Sequence, residues 1–336
     1  MKIAQFARTL VLSTVFLWLG GPVRAEISEV TIAKQYGVSY LTFMLMECDK
    51  LLEKYTKAAG LGDVKVNWRT FAGGAMMNDA LLSGDLQFAS AGVPPFAILR
   101  EKTVGNLNVK GVSAMSSLPS YLNTRNPKIK SIKDLSDADK IALPAVKVSN
   151  QAIYLQMATA KAFGIENYNK FDKLTVTMSF VDSTTAMLSG SGEINNNFVS
   201  PPFAQQQMEK AEIRNILNSY DVMEGPATLI VVYTTDTVRK NNPKTYAAFL
   251  SAFEEATNAI NKDKRAAAEF YVRETKSKVS VEMIEKILSD PQVEYTMTPK
   301  NISKYTDFMY KVGTLKTKPA SWKELFFPNV HNLPGS

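Results

Sequence analysis

One cysteine and one histidine are all that this chain of 336 residues has of the two side chains that most often do chemistry. A Ser-His-Asp triad, a Cys-His pair and a histidine-based metal site each need a well-placed histidine. His331 instead lies near the carboxyl end, in a tail containing Pro and Asn. Cys48 cannot form an internal disulfide, so the fold must rest on its core. It falls on the apolar face of a helix pattern, which predicts burial as a small hydrophobe, with a reactive thiol as the alternative. The 32 acids show no spacing that picks out a catalytic pair. Asp85 and Glu193 belong to Gly-rich turns, where acids turn or cap the chain. Neither cofactor, metal nor catalysis is expected.

Long apolar runs and a strong charge of one sign are missing as well. The apolar run at residues 10–19 is about ten residues long, where a membrane-spanning helix needs about 20. Lys2 and Arg8 precede it and Val23, Arg24 and Ala25 follow it. This is the pattern of a signal peptide cleaved after Ala25, with a membrane anchor as the alternative. The leader holds three cations and no acids, so the remainder has 36 cations against 32 acids, a net charge of +4. That is too little for a nucleic-acid footprint, and no Lys/Arg block with interleaved aromatics is present. An exported monomer, free in its compartment, is expected.

What the chain does contain is a repeated unit. Residues 71–96, FAGGAMMNDALLSGDLQFASAGVPPF, read as a Gly-rich turn, a short helix, a Gly-acid turn at Gly84 and Asp85, a strand near residues 86–90 and a turn closed by Pro94 and Pro95. Residues 180–203, FVDSTTAMLSGSGEINNNFVSPPF, repeat that order, and the closing Phe96 and Phe203 lie 107 positions apart. A solenoid would repeat every 20 to 50 residues or so, so this spacing indicates two similar α/β lobes.

The remaining chain fits around the pair. A strand is predicted at residues 29–34, then one helix from Ser39 to Ala59 with apolar residues at 41, 44, 45, 48, 52, 55 and 59, then a strand at 64–68. Further strands are predicted at 107–115, 140–144, 174–180 and 213–218, a helix at 149–163 ended by Gly164, and a buried strand in LIVVYTT. From Asn242 onward the pattern is helical, at 243–261, 264–274, 281–288 and 301–310. Alternating strands and helices imply a parallel or mixed sheet with helices on its faces. The simplest topology places residues 26–117 and 222–336 in one lobe and inserts 118–221 as the other, so that two crossings form a hinge.

In such sheets ligands sit where strand ends lead into helix starts. Those loops are residues 35–40, 71–75, 90–94, 148–151, 181–184 and 197–202, all rich in small or amide side chains. Helix starts expose unpaired N–H groups and hold anions without a formal cation. The candidate ligand-binding residues are Gln35, Tyr36, Tyr40, Phe71, Gly73, Gly74, Ser90, Ala91, Gly92, Val148, Ser149, Asn150, Asp182, Asn197, Ser200 and Glu224. Ser39, Ser149 and Asp182 are equally readable as plain helix caps. No Arg lies in these loops, and only Lys34 and Lys147 are near them in sequence, so N–H and hydroxyl groups would hold an oxyanion. Tyr36, Tyr40 and Phe71 would cover an apolar tail, and Asp182 or Glu224 would meet an amine.

These residues also carry a resemblance. The leader, a first strand ending at Gln35 and Tyr36, FAGGAMMNDALLSGDLQFASAGVPP, SIKDLSDADKIALP followed by VKVSNQA, and DSTTAMLSGSGEINNNFVSPPF occur in an order that resembles the periplasmic solute-binding proteins of ABC importers, in the nitrate, sulfonate and taurine group. The resemblance implies the two-lobed type II periplasmic binding protein fold, with two hinge crossings and a ligand cleft between the lobes. It implies a periplasmic receptor that captures a small organic or inorganic anion and passes it to an ABC permease and its ATPase. The second Gly-acid turn, Gly190 to Glu193, is longer than the usual one, and three asparagines follow it. Thiamine-pyrimidine synthases share this fold but use histidine and iron, which the lone His331 does not supply. A periplasmic ligand sensor is the remaining alternative, although no signalling segment is evident.

Overall fold

The computed structural model describes residues 25–190 and 192–336. The expected leader, apart from Ala25, and Ser191 of the long turn lie outside the described residues. Strand β1 (Glu29–Lys34) leads through a 3-10 turn (Val38–Tyr40) into helices α1 (Leu41–Cys48) and α2 (Leu51–Ala58), then β2 (Lys65–Thr70), α3 (Gly74–Leu82), β3 (Ala89–Gly92), α4 (Val93–Lys102) and β4 (Lys110–Ser117). Next come β5 (Tyr121–Thr124), β6 (Ile141–Leu143), α5 (Asn150–Phe163), β7 (Thr175–Thr177), α6 (Phe180–Ser189), β8 (Asn196–Val199), α7 (Phe203–Met208) and β9 (Arg214–Asn218). Helix α8 (Ser219–Met223) returns the chain to β10 (Thr228–Thr234), followed by α9 (Asp236–Asn241), α10 (Pro243–Lys262), α11 (Lys264–Thr275), α12 (Val281–Leu288), β11 (Glu294–Tyr295) and α13 (Ile302–Lys311).

Two separate sheets make the fold a two-lobed α/β structure. One has the order β11-β4-β10-β3 and is extended by the parallel β1-β2 pair through a bridge from Ile32 to Phe88. The other has the order β7-β6-β8-β5-β9. The four strands of the first pair antiparallel and only its β1-β2 extension is parallel, whereas the second is mixed, with β6 parallel to β7 and β8 and β5 antiparallel to β8 and β9. The chain passes from the first sheet to the second between Ser117 and Tyr121 and returns between Asn218 and Thr228. These two passages lie side by side: Ser120 N–H donates to Ser219 Oγ at 2.8 Å, and Ser219 N–H donates to Ser120 O at 2.9 Å.

Helix α10 explains why the carboxyl-terminal helices sit behind the first sheet. Its Phe249, Phe253, Ala256 and Ile260 recur at three- and four-residue spacing and are buried. Phe249 stacks on Phe88 with centroids 3.9 Å apart, and Phe43 meets both Phe249 and Phe253 edge on. Such pairs add about 0.5 to 1.5 kcal/mol each beyond the apolar area they bury.

Three local expectations change. The predicted helix from Ser39 to Ala59 is broken at Lys50, which adopts φ 49°. Asp49 beside it is a poor helix former. The break resets the phase, so Leu41, Phe43 and Met46 face the core and Cys48 is exposed rather than buried. Ser39 accordingly caps nothing and is itself buried in the 3-10 turn. The strand expected at 86–90 runs over Ala89–Gly92, because Leu86 N–H still bonds back to Ala80 O. The short strands β5 and β11 carry no sequence signal of their own.

A buried carboxylate ties the second sheet together at its edge away from the cleft. Asp139 accepts from Ser136 N–H (2.8 Å), Ser136 Oγ (2.9 Å), Asn195 Nδ2 (2.7 Å) and Asn126 Nδ2 (3.3 Å). Burial pushes its carboxyl up, but the hydrogen bonds outweigh burial and the net shift is down. A folded value below the unfolded one gives stability that is complete above the unfolded value, about 3.9, and is lost as pH falls through the folded value. Asp139→Ala is expected to cost about 2 kcal/mol at neutral pH. Thermal melts should show that difference narrowing in acid, and a difference constant from pH 7 to pH 2 would contradict the assignment.

Candidate functional site

The ends of strands from both sheets converge on one narrow, partly open cavity of about 40 Å³. From the first lobe, the loop after β1 supplies Gln35, Ser39 and Tyr40, the start of α3 supplies Gly74 and Ala75, and Gly92 and Pro95 lie at the start of α4. From the second lobe come Pro144 and Ala145, the start of α5 with Val148, Ser149, Asn150 and Gln151, and then Phe180 and Ser200. Strand β10 adds Leu229 and Ile230.

Helix α5 enters this cavity at its amino end for reasons visible in its sequence. Ser149 caps it, accepting from Ala152 N–H at 3.2 Å while its hydroxyl donates to Ala145 O at 2.7 Å, and Gly164 stops it at φ 92°. The first turn of any helix has amides with no intrahelical partner, and their partial positive charge faces outward. Asn150 reaches across to the first lobe and donates through Nδ2 to Leu229 O at 2.7 Å. Since a carbonyl only accepts, the amide nitrogen must take that place. Asn150 Oδ1 then has no partner. It lies against Gly92, where an added Cβ would stand 2.5 Å from it. Gln151 Nε2 donates to Ser120 Oγ and Ser200 Oγ, each at 3.1 Å, which connects the cavity wall to the paired crossings.

No Lys, Arg, Asp, Glu, His or Cys lines the cavity. Its polar groups are amides and hydroxyls. Tyr40 is fully buried, hydrogen-bonded to Gln35, and burial holds its phenol well above the usual range, so it remains a neutral donor. Lys34, just before the first loop, pairs with Glu47 and stands 5.5 Å from the Trp68 ring, and burial pulls its ammonium down to about 8. It faces an outer groove rather than the cavity.

Of the residues expected from sequence, the structure brings Gln35, Tyr40, Gly74, Gly92, Val148, Ser149, Asn150 and Ser200 together around the cavity. Gly73 lies beside them, with an added Cβ 3.6 Å from Pro144 O of the other lobe. Tyr36 belongs to the outer groove. Six others are elsewhere. Phe71 is half-buried against the core, with the Arg69 guanidinium 5.2 Å from its ring. Ser90 and Ala91 are buried in β3 beside β10, and Ser90 Oγ is used by Ala33 O at 2.6 Å. Asp182 is exposed in the first turn of α6 and accepts from the Ser179 hydroxyl at 2.6 Å, so it acts in the cap. Asn197 is buried in β8 and donates to Ser183 Oγ at 3.0 Å. Glu224 is on the outside, paired with Lys304 at 2.7 Å. Leu229 and Ile230 were hidden within an apolar run that reads as pure core, and Phe180 and Gln151 lay next to the expected positions. His331 is not at the cleft; its Nε2 contacts the carbonyl oxygens of Lys323 (2.9 Å) and Phe326 (3.1 Å). Among the described residues no group of three or more His, Cys, Asp or Glu could hold a metal, and no helix is long and apolar enough to cross a membrane.

Comparison with known proteins places this geometry. No curated protein matches the sequence. Among solved structures, the alkanesulfonate-binding protein SsuA from Xanthomonas axonopodis pv. citri, bound to MOPS, has a TM-score of 0.70 at 16% identity, covering 89% of this chain and 98% of that one. The periplasmic aliphatic sulphonate binding protein SsuA from Escherichia coli has a TM-score of 0.65 at 18% identity, covering 89% and 92%. The periplasmic nitrate-binding protein NrtA from Synechocystis PCC 6803 has a TM-score of 0.69 at 14% identity, covering 89% and 84%. Identities this low speak for the fold alone, which is the type II periplasmic binding protein fold. The family model described as NMT1-like matches residues 38–272, and the chain belongs to the NMT1-like family.

Proposed function

We propose that the chain is the substrate-binding subunit of an ABC importer: exported to the periplasm after cleavage at Ala25, it captures a small solute bearing an oxyanion and delivers it to a membrane permease and its ATPase. The observation that carries this reading is the narrow cavity between two lobes, walled by neutral donors and by the start of α5. Its lining holds no Lys, Arg, Asp, Glu, His or Cys among the described residues, which supports capture rather than turnover as its chemistry. A space of about 40 Å³ has room for roughly three waters on the scale of 10 to 15 Å³ each. That is the size of an oxyanion head, and the nitrate- and sulfonate-binding proteins that share the fold are named for ligands with such a head.

The lobes are taken as residues 26–117 with 222–336, and 118–221. A ligand that touches both lobes binds the closed form better and shifts the hinge toward it, whereas one touching a single lobe shifts nothing. The permease then meets a closed, loaded monomer. Two measurements test this. A panel of nitrate, small sulfonates and taurine should contain a ligand that raises thermal stability, by about 2.7 kcal/mol at 100 times its Kd. A panel without any shift removes the anion reading.

The second measurement uses Gly92. Its φ of −58° and ψ of 160° suit alanine, so Gly92→Ala leaves the first lobe unstrained. The new Cβ nevertheless meets Asn150 Oδ1 of the other lobe at 2.5 Å, which hinders closure alone. Affinity should fall at least about tenfold, equivalent to 1.4 kcal/mol, with the melting of the unliganded protein unchanged. Gly74 is a poorer probe, because a Cβ there meets Ala91 of its own lobe at 2.9 Å. Wild-type affinity in Gly92→Ala would show that this closure contact plays no part in binding.

A further inference from the structure

Outside the inner cavity a groove of about 820 Å³ runs between the same two lobes. One wall is α6, which presents Val181, Thr184, Thr185 and Leu188 to it. Those positions fall at i, i+3, i+4 and i+7, a single helix face. Ser183 and Met187 on the other side of α6 are buried in their own lobe. The opposite wall is the end of α11, with Tyr271, Glu274 and Thr275 at the same periodicity. Tyr36 and Phe203 continue the apolar lining, and Gln35 is shared between groove and cavity. Tyr36 and Val181 are 47% and 45% exposed, so this apolar surface is left open to solvent.

The charge of the groove is mainly positive, although Lys34 is already paired with Glu47. Lys34, Lys210 and Lys278 line it against Glu274, and Glu274 is already paired with Arg273 at 2.8 Å. Among the described residues Lys210 and Lys278 make no ion pair. A volume in the range of roughly 300 to 1,000 Å³, apolar walls and a few fixed polar groups are the usual properties of a small-molecule site. The inner cavity, by contrast, is narrow, at about 40 Å³.

We propose that the groove is a second subsite, which takes the apolar body of an organic anion whose oxyanion head occupies the inner cavity; this rests on the receptor reading given above. Gln35 lies where head and body join. Lys210 and Lys278 draw the anion in, and the facing stripes of α6 and α11 grip an alkyl chain or a ring from both lobes. Body contacts therefore favour closure as head contacts do. The receptor is then selective for organic anions over bare inorganic ones.

The test is a calorimetric titration of the purified mature protein with straight-chain alkanesulfonates from one to eight carbons, and with nitrate. Burying each methylene should tighten binding about fourfold until the groove is full, with nitrate weaker than the longer members. Leu188→Asp, which sets a charged group among the apolar positions of α6, should flatten the series. Val181→Ser, at an exposed position of the same helix face, should flatten it likewise without changing the charge and serves if Leu188→Asp does not fold. Affinity independent of chain length, or variants that weaken every member by one factor, would overturn the subsite while leaving the receptor reading intact. Long members that fail to bind where methanesulfonate and nitrate do bind would overturn it too. Failure of every member and of nitrate would overturn both.

Discussion

The contact of Asn150 with Leu229 and Gly92 is the constraint on which the cleft depends. It joins the first turn of a second-lobe helix to the backbone of two first-lobe strands, through one hydrogen bond of 2.7 Å and one close approach that only glycine permits. A buried amide oxygen with no partner is costly, about 1 to 3 kcal/mol. Asn150 Oδ1 is in that position in the closed form, and water would satisfy it in an open one. The contact therefore adds little net drive to close, and in the proposed receptor ligand contacts would supply most of it.

The hinge is built for the opposite property. Its two passages are bonded to each other through Ser120 and Ser219, and the Ser120 hydroxyl is bonded onward to Ser200 and Gln151 at the back of the cavity. Behind them Tyr305 of α13 donates to Thr228 O at 3.0 Å and meets the Tyr154 hydroxyl of α5. Burial keeps both phenols neutral by pushing them far up. The carboxyl-terminal helix therefore braces the second lobe where the chain crosses. In the proposed receptor, stiffness at the back and a weak latch at the front would let a small ligand contribute the deciding free energy, with no formal charge lining the inner cavity and with lysines at the outer groove.

Much of this was legible in the sequence, for physical reasons. The two copies of the turn-helix-strand unit were readable because Gly-acid turns and Pro-Pro closures mark the chain independently of tertiary contacts. Ser149 and Gly164 bounded α5 because capping is local. The eight cavity residues expected from sequence all lie at or beside junctions where a strand end leads to a helix start. What escaped depended on phase and distance. Lys50 reset the helix phase and turned Cys48 outward, and no sequence periodicity carries a break of one residue. Ser90 and Ala91 looked like loop because β3 starts three residues later than its apolar pattern suggests. Leu229 and Ile230 line the site through backbone that lies beside Gly92, and an apolar run does not announce that. Glu224 was paired by Lys304, 80 positions away.

The central claim is that ligand binding and the approach of the two lobes are one event. Cys48, exposed in the first lobe and the only cysteine, provides a natural label site, and Lys133→Cys, at an exposed position, provides another in the second. The distance between two spin labels there, measured in solution with and without a ligand found by the thermal panel, is the most direct test. The account predicts a broad, longer distribution without ligand that collapses to a shorter, narrow one with it. An identical distribution in both samples would contradict it.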